Sequence, residues 1–410
     1  MSAISAEADP SDVGLDQARL GHIGRHFDRY VEDGRIPGFL VVVTRGCKVA
    51  YVACRGSRDL ENGAPVEADT RFRIYSMTKP ITSVAAMICY EEGLIALDDP
   101  LSKFIPEFGE TRVFAGGSSL QPVTVPILEP INIWHLMTHT AGLTYGWMFN
   151  HPVDAMYRSV GLEWDVPSGM DLAGCCSRLA GLPLRCQPGT EWNYSAATDV
   201  LGRVVEVATG QPFDQFLAER VLAPLGMKET SFYVEGEGAE KLAVLYMPDV
   251  ATGKATRAPH MGHAALRPPS APMGGSGLVS TAADYHRFTQ MLLRNGELDG
   301  VRILGARTVA YMTRNHLPGG ADLAQFGNPT GGESERGLGF GLGFSVVIDP
   351  AARKVTCSAG EYAWGGAAST EFWVDPAEEL TVLFFTQLLP SSTYPISREL
   401  KQLVYSAIVD

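Results

Sequence analysis

The chain has 410 residues, more than one ordinary core requires, so one large domain or two closely joined ones is the expectation. Hydrophobic residues make up 45% and charged residues 19%, and 33 Lys and Arg against 46 Asp and Glu leave a net charge of −13. That acidic balance argues against nucleic acid and against an anionic membrane surface as partners, and no apolar run approaches the ~18 residues of a spanning helix.

Taken in chain order, Met1–Pro10 has neither a basic stretch nor an apolar one, so no secretory signal is expected and a cytoplasmic location is. Leu20, Ile23, Phe27, Tyr30 and Val31 recur at helical spacing and stop at Gly34. Phe39–Thr44 and Val49–Cys54 read as a hairpin turning at Arg45-Gly46-Cys47-Lys48. A short strand-like run, Thr70–Tyr75, leads into a helical segment, Ser76–Gly93. From about 95 to 270 helical periodicity dominates: Ile131–His139, then Val200 to Ala208 ending at Gly210, then Phe213–Leu222. Gly-rich 315–337 reads as a surface loop. Strands return at Phe340–Ile348, Lys354–Ser358, Glu371–Val374 and Thr381–Phe385, and a helix repeating Ile396, Leu400, Leu403, Val404, Ala407 and Ile408 closes the chain.

Strands at both ends with helices between them predict an α+β (mixed α/β) protein whose termini share one sheet. Residues 1–95 and 270–410 would form a discontinuous α/β domain, and 96–269 a mainly helical insertion. Seven cysteines (47, 54, 89, 175, 176, 186, 357) are odd in number with no C-x-x-C pair, which argues against structural zinc and a disulfide framework.

Several motifs carry bland readings. Gly337–Phe344 fits neither phosphate-loop pattern, and its period of two marks a strand. Asp98-Asp99-Pro100 reads as a helix start, with a carboxylate capping free N–H groups. His22/His26 and His135/His139 are i, i+4 pairs, but neither has a third ligand or the Glu of H-E-x-x-H, so no metal is expected. No G-x-S-x-G occurs.

Ser76-Met77-Thr78-Lys79 matches S-x-x-K, a cheap pattern that its context strengthens. A β-like run precedes it, and Pro80 is tolerated only in a helix's first turn. Ser76 therefore sits at or beside a helix N-terminus with Lys79 one turn on, on the same face. A serine hydroxyl is a weak nucleophile until a base takes its proton. A partly desolvated ammonium beside the positive end of a helix is disfavoured, so such a lysine can act as that base. Free N–H groups at the helix start face negative charge developing on an acyl oxygen.

Further blocks accompany this one: Tyr194-Ser195-Ala196 within Gln187–Asp199, Trp134-His-Leu-Met-Thr-His-Thr-Ala-Gly-Leu143, Pro224-Leu-Gly-Met227, Gly274–Asp284 and Trp364–Pro376. In their order and spacing the chain resembles the family VIII carboxylesterases, relatives of class C β-lactamases and penicillin-binding proteins. The resemblance covers nearly the whole chain. It implies a β-lactamase-like antiparallel sheet flanked by helices, a helical insertion, and an active site at their junction. It implies Ser76 as acylated nucleophile, Lys79 as its partner in proton removal, and Tyr194 as second base or as acid toward the leaving alcohol. Trp364-Gly365-Gly366 would occupy the substrate-binding place of the K-T-G strand. The oxyanion hole would be the N–H groups of Ser76 and Ala367. No cofactor is implied, and the partner is a small-molecule ester of short to medium acyl chain.

Two departures bear on the substrate. Ala196 stands where β-lactamases carry the Asn of Y-x-N, and Trp364 stands where they carry the Lys of K-T-G. Both make the site less polar, which favours neutral esters over β-lactams. A β-lactamase or D-peptidase-type amidase, an acyltransferase and a non-catalytic scaffold are the competing readings. The cluster Tyr145, Trp147, Met148, Phe149, Tyr157 and Trp164 reads either as a wall of the acyl or alcohol pocket or as ordinary interior packing.

Overall fold

The computed structural model describes residues 3–164, 166–258, 261–327 and 335–410, and its architecture grows from a strand that is apolar on both faces. Strand β1 (Gly38–Arg45) is buried from Gly38 through Thr44. Successive side chains point to opposite faces, so Phe39, Val41 and Val43 enter one core while Leu40 and Val42 enter another. Such a strand needs cover on both sides, which places it mid-sheet.

A tight turn, with Cys47 at φ 62, leads to β2 (Lys48–Asp59), and β3 (Ala64–Pro65) forms an edge. The other five strands come from the end of the chain: β4 (Leu338–Phe340), β5 (Ser345–Val347), β6 (Tyr362–Gly366), β7 (Thr370–Asp375) and β8 (Leu380–Phe385). They complete an eight-stranded sheet of order β4-β5-β6-β7-β8-β1-β2-β3, antiparallel at every pairing. Leu40 lies opposite Phe385, and Arg45 opposite Leu380. The shared sheet of the two chain ends is thus real.

Six helices matter below: α1 (Gln17–Glu32), α2 (Thr78–Glu91), α3 (Ile133–Met137), α4 (Ala197–Thr209), α5 (Ala282–Leu293) and α6 (Ile396–Tyr405). Asp16 caps α1 through the Arg19 N–H, and Leu20, Ile23, Phe27 and Tyr30 form its buried stripe. With α6 it covers one sheet face, where Phe27 meets Phe384 at 5.1 Å. Helix α5 covers the other, with Tyr285 5.1 Å from Phe372. Helix α2 is buried along almost its whole length, from Thr78 to Cys89.

Four expectations are corrected. Phe340–Ile348 is not one strand but the β4–β5 hairpin; Gly339 lies in β4, and Gly341 and Gly343 serve the turn. Gly343 takes φ 97 there, where an added Cβ would overlap Ser83 of α2. Lys354–Ser358 is no strand: Asp349 caps a helical turn at Pro350–Arg353, and β5 pairs with β6 instead. The 315–337 segment is only partly surface, since Leu317 and Leu323 are buried with Trp192 and Phe340, while 328–334 lie outside the described residues. The carboxylate of Asp99 caps no helix; it accepts from the Ala96 N–H and from Lys103, each at 2.8 Å. The middle segment also carries two hairpins, Arg112–Gly117 with Pro122–Pro126 and Tyr246–Pro248 with Ala255–Arg257. Among the described residues no helix is long and apolar enough to cross a membrane.

Candidate active site

The strand Arg71–Arg73 pairs with Val279–Thr281 and then turns sharply. Tyr75 takes φ 42, a left-handed conformation unusual for a residue with a side chain. The turn Tyr75–Met77 runs straight into α2. Ser76 lies in that turn, partly exposed, and Lys79 lies one turn later, 1% exposed.

Helix α2 turns a polar stripe toward the loop before Val279–Thr281. Thr78 accepts from the Leu278 N–H at 3.1 Å, Thr82 donates to the Gly274 carbonyl at 2.7 Å, and Lys79 Nζ donates to the Gly275 carbonyl at 2.7 Å. From across the site Tyr194, just before α4, donates its hydroxyl to Ser76 Oγ at 2.6 Å. Lys79 Nζ is 3.3 Å from the same Oγ and 4.5 Å from the centre of the Tyr194 ring. A residue one helical turn away and another 118 positions along the chain thus converge on the Ser76 hydroxyl.

Trp364-Gly365-Gly366 forms the end of β6. An added Cβ on Gly366 would overlap the Ile74 carbonyl, so only glycine lets β6 lie against the turn that carries Ser76. Ala367 follows immediately and packs in a small cluster with Tyr75, Leu245, Ala368 and Leu389. The Trp364 ring is 5.6 Å from that of Tyr194 and 5.3 Å from that of Phe340.

The family described as Beta-lactamase matches residues 23–405. The chain belongs to the beta-lactamase family. It is similar to protein Rv1367c of Mycobacterium tuberculosis (37% identical, covering 87% of each chain) and to esterase EstB of Burkholderia gladioli (33% identical, 98% of this chain and 99% of the other). Among solved structures it is similar to EstCE1, described as a hydrolase with promiscuous acyltransferase activity. That match has a TM-score of 0.79 and 29% identity, over 95% of this chain and 98% of the other.

The surroundings of Tyr194 are strongly aromatic. The rings of His139, Tyr145, Trp147 and Trp192 lie 5.1, 5.4, 6.2 and 6.2 Å from that of Tyr194. Tyr145 stacks on Trp147 at 5.1 Å, and Trp147 on Trp164 at 5.4 Å, giving a continuous aromatic run from Tyr194 to a side chain 46% exposed. Phe149 is not part of that run: it is exposed, at φ 54, under the Arg158 guanidinium. Tyr157 is core, its hydroxyl near the Thr144 N–H.

The histidine pairs have other work. His135 Nδ1 and Asn132 form a reciprocal cap on α3, and His26 pairs with Glu399 at 2.9 Å. His139 is buried, with Nδ1 3.2 Å from Ser195 Oγ. Burial, and then the charge of Lys79, push it well below the usual imidazole range, so it stays neutral behind Tyr194. A cavity of about 320 Å³ between Cys47, Arg294, Val309 and Tyr362 is lined by none of Ser76, Lys79 or Tyr194 and is separate from this site.

Two residues of the site escaped the sequence reading. Asp199, in the first turn of α4, accepts from the Gly275 N–H at 2.6 Å, and Gly275 in turn receives Lys79. Burial pushes Asp199 up to about 6, opposed by the charge of Lys79 and by the Gly275 N–H. In the sequence an acid in a first helical turn reads as a complement to the helix dipole. Nothing local separates the two roles.

Proposed function

We propose that the protein is a serine hydrolase of neutral carboxylic esters, with Ser76 as the acylated residue and a small-molecule ester of short to medium acyl chain as its substrate. The observation that carries this is the position of Ser76 Oγ between the Tyr194 hydroxyl and Lys79 Nζ.

Ser76 Oγ attacks the ester carbonyl carbon, its proton passes to the Lys79–Tyr194 pair, and the carbonyl electron pair moves onto oxygen. The N–H groups of Ser76 and Ala367 would receive that oxyanion, since Gly366 allows β6 to end against the turn holding Ser76. Collapse breaks the bond to the alkoxide, which leaves with the proton carried by Tyr194. Water then repeats the sequence on the acyl-enzyme and releases the acid. An alcohol in the place of water gives acyl transfer, a reading that the described activity of EstCE1 favours as a side reaction.

Trp364 supports neutral esters over β-lactams. An indole packed on Tyr194 and Phe340 stands where a cation would meet a substrate carboxylate. Wild-type enzyme should therefore turn over p-nitrophenyl butyrate far faster than nitrocefin. The deciding measurement is Ser76→Ala. Turnover of the ester should fall by at least about 10³-fold with an unchanged melting temperature, and a fluorophosphonate should label Ser76 in the wild type. Retained turnover, or a label on another residue, refutes the reading.

A further inference from the structure

The Gly274–Gly275 peptide is held at both of its polar ends. Thr82 Oγ1 donates to its carbonyl oxygen at 2.7 Å, and Asp199 Oδ1 accepts from its N–H at 2.6 Å. The next carbonyl along, that of Gly275, receives Lys79 Nζ at 2.7 Å. A Cβ on Gly275 would lie 2.8 and 3.0 Å from the two Asp199 oxygens and 3.0 Å from the Tyr145 hydroxyl. This backbone is therefore clamped, and glycine is the residue that lets the carboxylate approach it.

Burying a carboxylate costs several kcal/mol unless something offsets it. Asp199 is 3% exposed, and among the described residues it has no ion-pair partner within 4.0 Å. Among the described residues its carboxylate accepts one hydrogen bond, from the Gly275 N–H. The titratable groups facing it are Lys79 of α2, Tyr145, and Cys175 and Cys176 of the helix Leu172–Ala180. Lys79 is the only cation among them.

We propose that Asp199 is a positioning residue for Lys79: it holds the N–H of Gly275, the residue whose carbonyl takes one direction of the lysine nitrogen, and so aims the remaining direction at Ser76 Oγ. The nitrogen is tetrahedral. With one N–H committed to Gly275, the next position faces Oγ at 3.3 Å, where a proton is exchanged. This inference rests on the ester-hydrolase reading above.

The test compares wild type, Asp199→Asn and Asp199→Ala for kcat and KM on p-nitrophenyl butyrate, together with the rate of fluorophosphonate labelling of Ser76. Asparagine keeps an oxygen for the Gly275 N–H; alanine discards it. With asparagine, kcat, KM and labelling should stay within about threefold of wild type. With alanine, kcat and labelling should fall together by about 30-fold or more while KM stays near wild type. A folded alanine variant with wild-type kcat overturns the proposal, and so does an asparagine variant that loses as much as about 30-fold. Wild-type enzyme whose label falls elsewhere than Ser76 refutes the ester-hydrolase reading, and this inference falls with it.

Discussion

At Gly366 a single methyl group is enough to push the end of β6 off the turn that carries Ser76, because the Ile74 carbonyl already occupies that space. Gly366→Ala should therefore lower kcat/KM about 10²-fold. Gly365→Ala, whose Cβ would sit 3.1 Å from the Thr370 carbonyl and meet no part of the Ser76 turn, should be the milder change when the two are assayed side by side. Equal activity in the pair would contradict this account of β6. Tyr194→Phe keeps the ring among its aromatic neighbours and removes only the hydroxyl 2.6 Å from Ser76. Its kcat should drop by about 10²–10⁴-fold with KM near wild type, as loss of an acid–base group requires.

Between β7 and α6 a polar layer interrupts an otherwise apolar interface. Lys401 meets Glu361 at 2.6 Å, and the Tyr405 hydroxyl lies 2.7 Å from Glu361 and 2.6 Å from Asp375. Glu371, opposite Gly365 in the β6–β7 register, has a buried carboxylate oxygen with no hydrogen-bond partner among the described residues. Burial pushes Glu371 up to about 7, against the opposing effects of Ser397 and Lys401. A raised value means that the folded state prefers the protonated form. Its stabilisation is complete below the ordinary glutamate value near ~4.5 and is lost as pH climbs through about 7. Glu371→Gln should accordingly raise the stability by about 2 kcal/mol at pH 8 and by nothing measurable at pH 4. Urea melts at the two pH values check this, and equal gains at both would refute it.

Across the whole molecule one apolar core is continuous. It runs from Leu40 and Val42 on the sheet, through Ile81 and Val84 of α2, to Leu136 of α3 and Leu201 of α4. We propose that the sheet-forming ends and the helical middle are two parts of one unfolding unit built around that core. Calorimetry should then show a single transition whose calorimetric and van't Hoff enthalpies agree. Two resolved transitions would mean that 96–269 unfolds by itself.

How much of this was legible depends on how local the physics is. The β1–β2 hairpin, α1, α2 and α6 show in the sequence, because apolar spacing and a nearby turn or stop residue determine each of them. Ser76 and Lys79 show as well, since one helical turn separates them and Pro80 marks where that turn begins. Tyr194 and Trp364 could be named only through the order of whole blocks, for no short-range rule brings residue 194 to residue 76. The β4–β5 turn misled, as glycines at a period of two look alike whether they line a strand or admit Ser83. Asp199 was invisible: its partner Gly275 is 76 residues away, and a first-turn acid needs no partner at all. Composition and charge excluded classes of partner and said nothing of the substrate. Local pattern thus settled the first hairpin and most of the helices, and it set Ser76 one helical turn from Lys79. Which groups surround Ser76 was decided by tertiary packing, because hydrogen bonds and burial depend on distance in space and not along the chain.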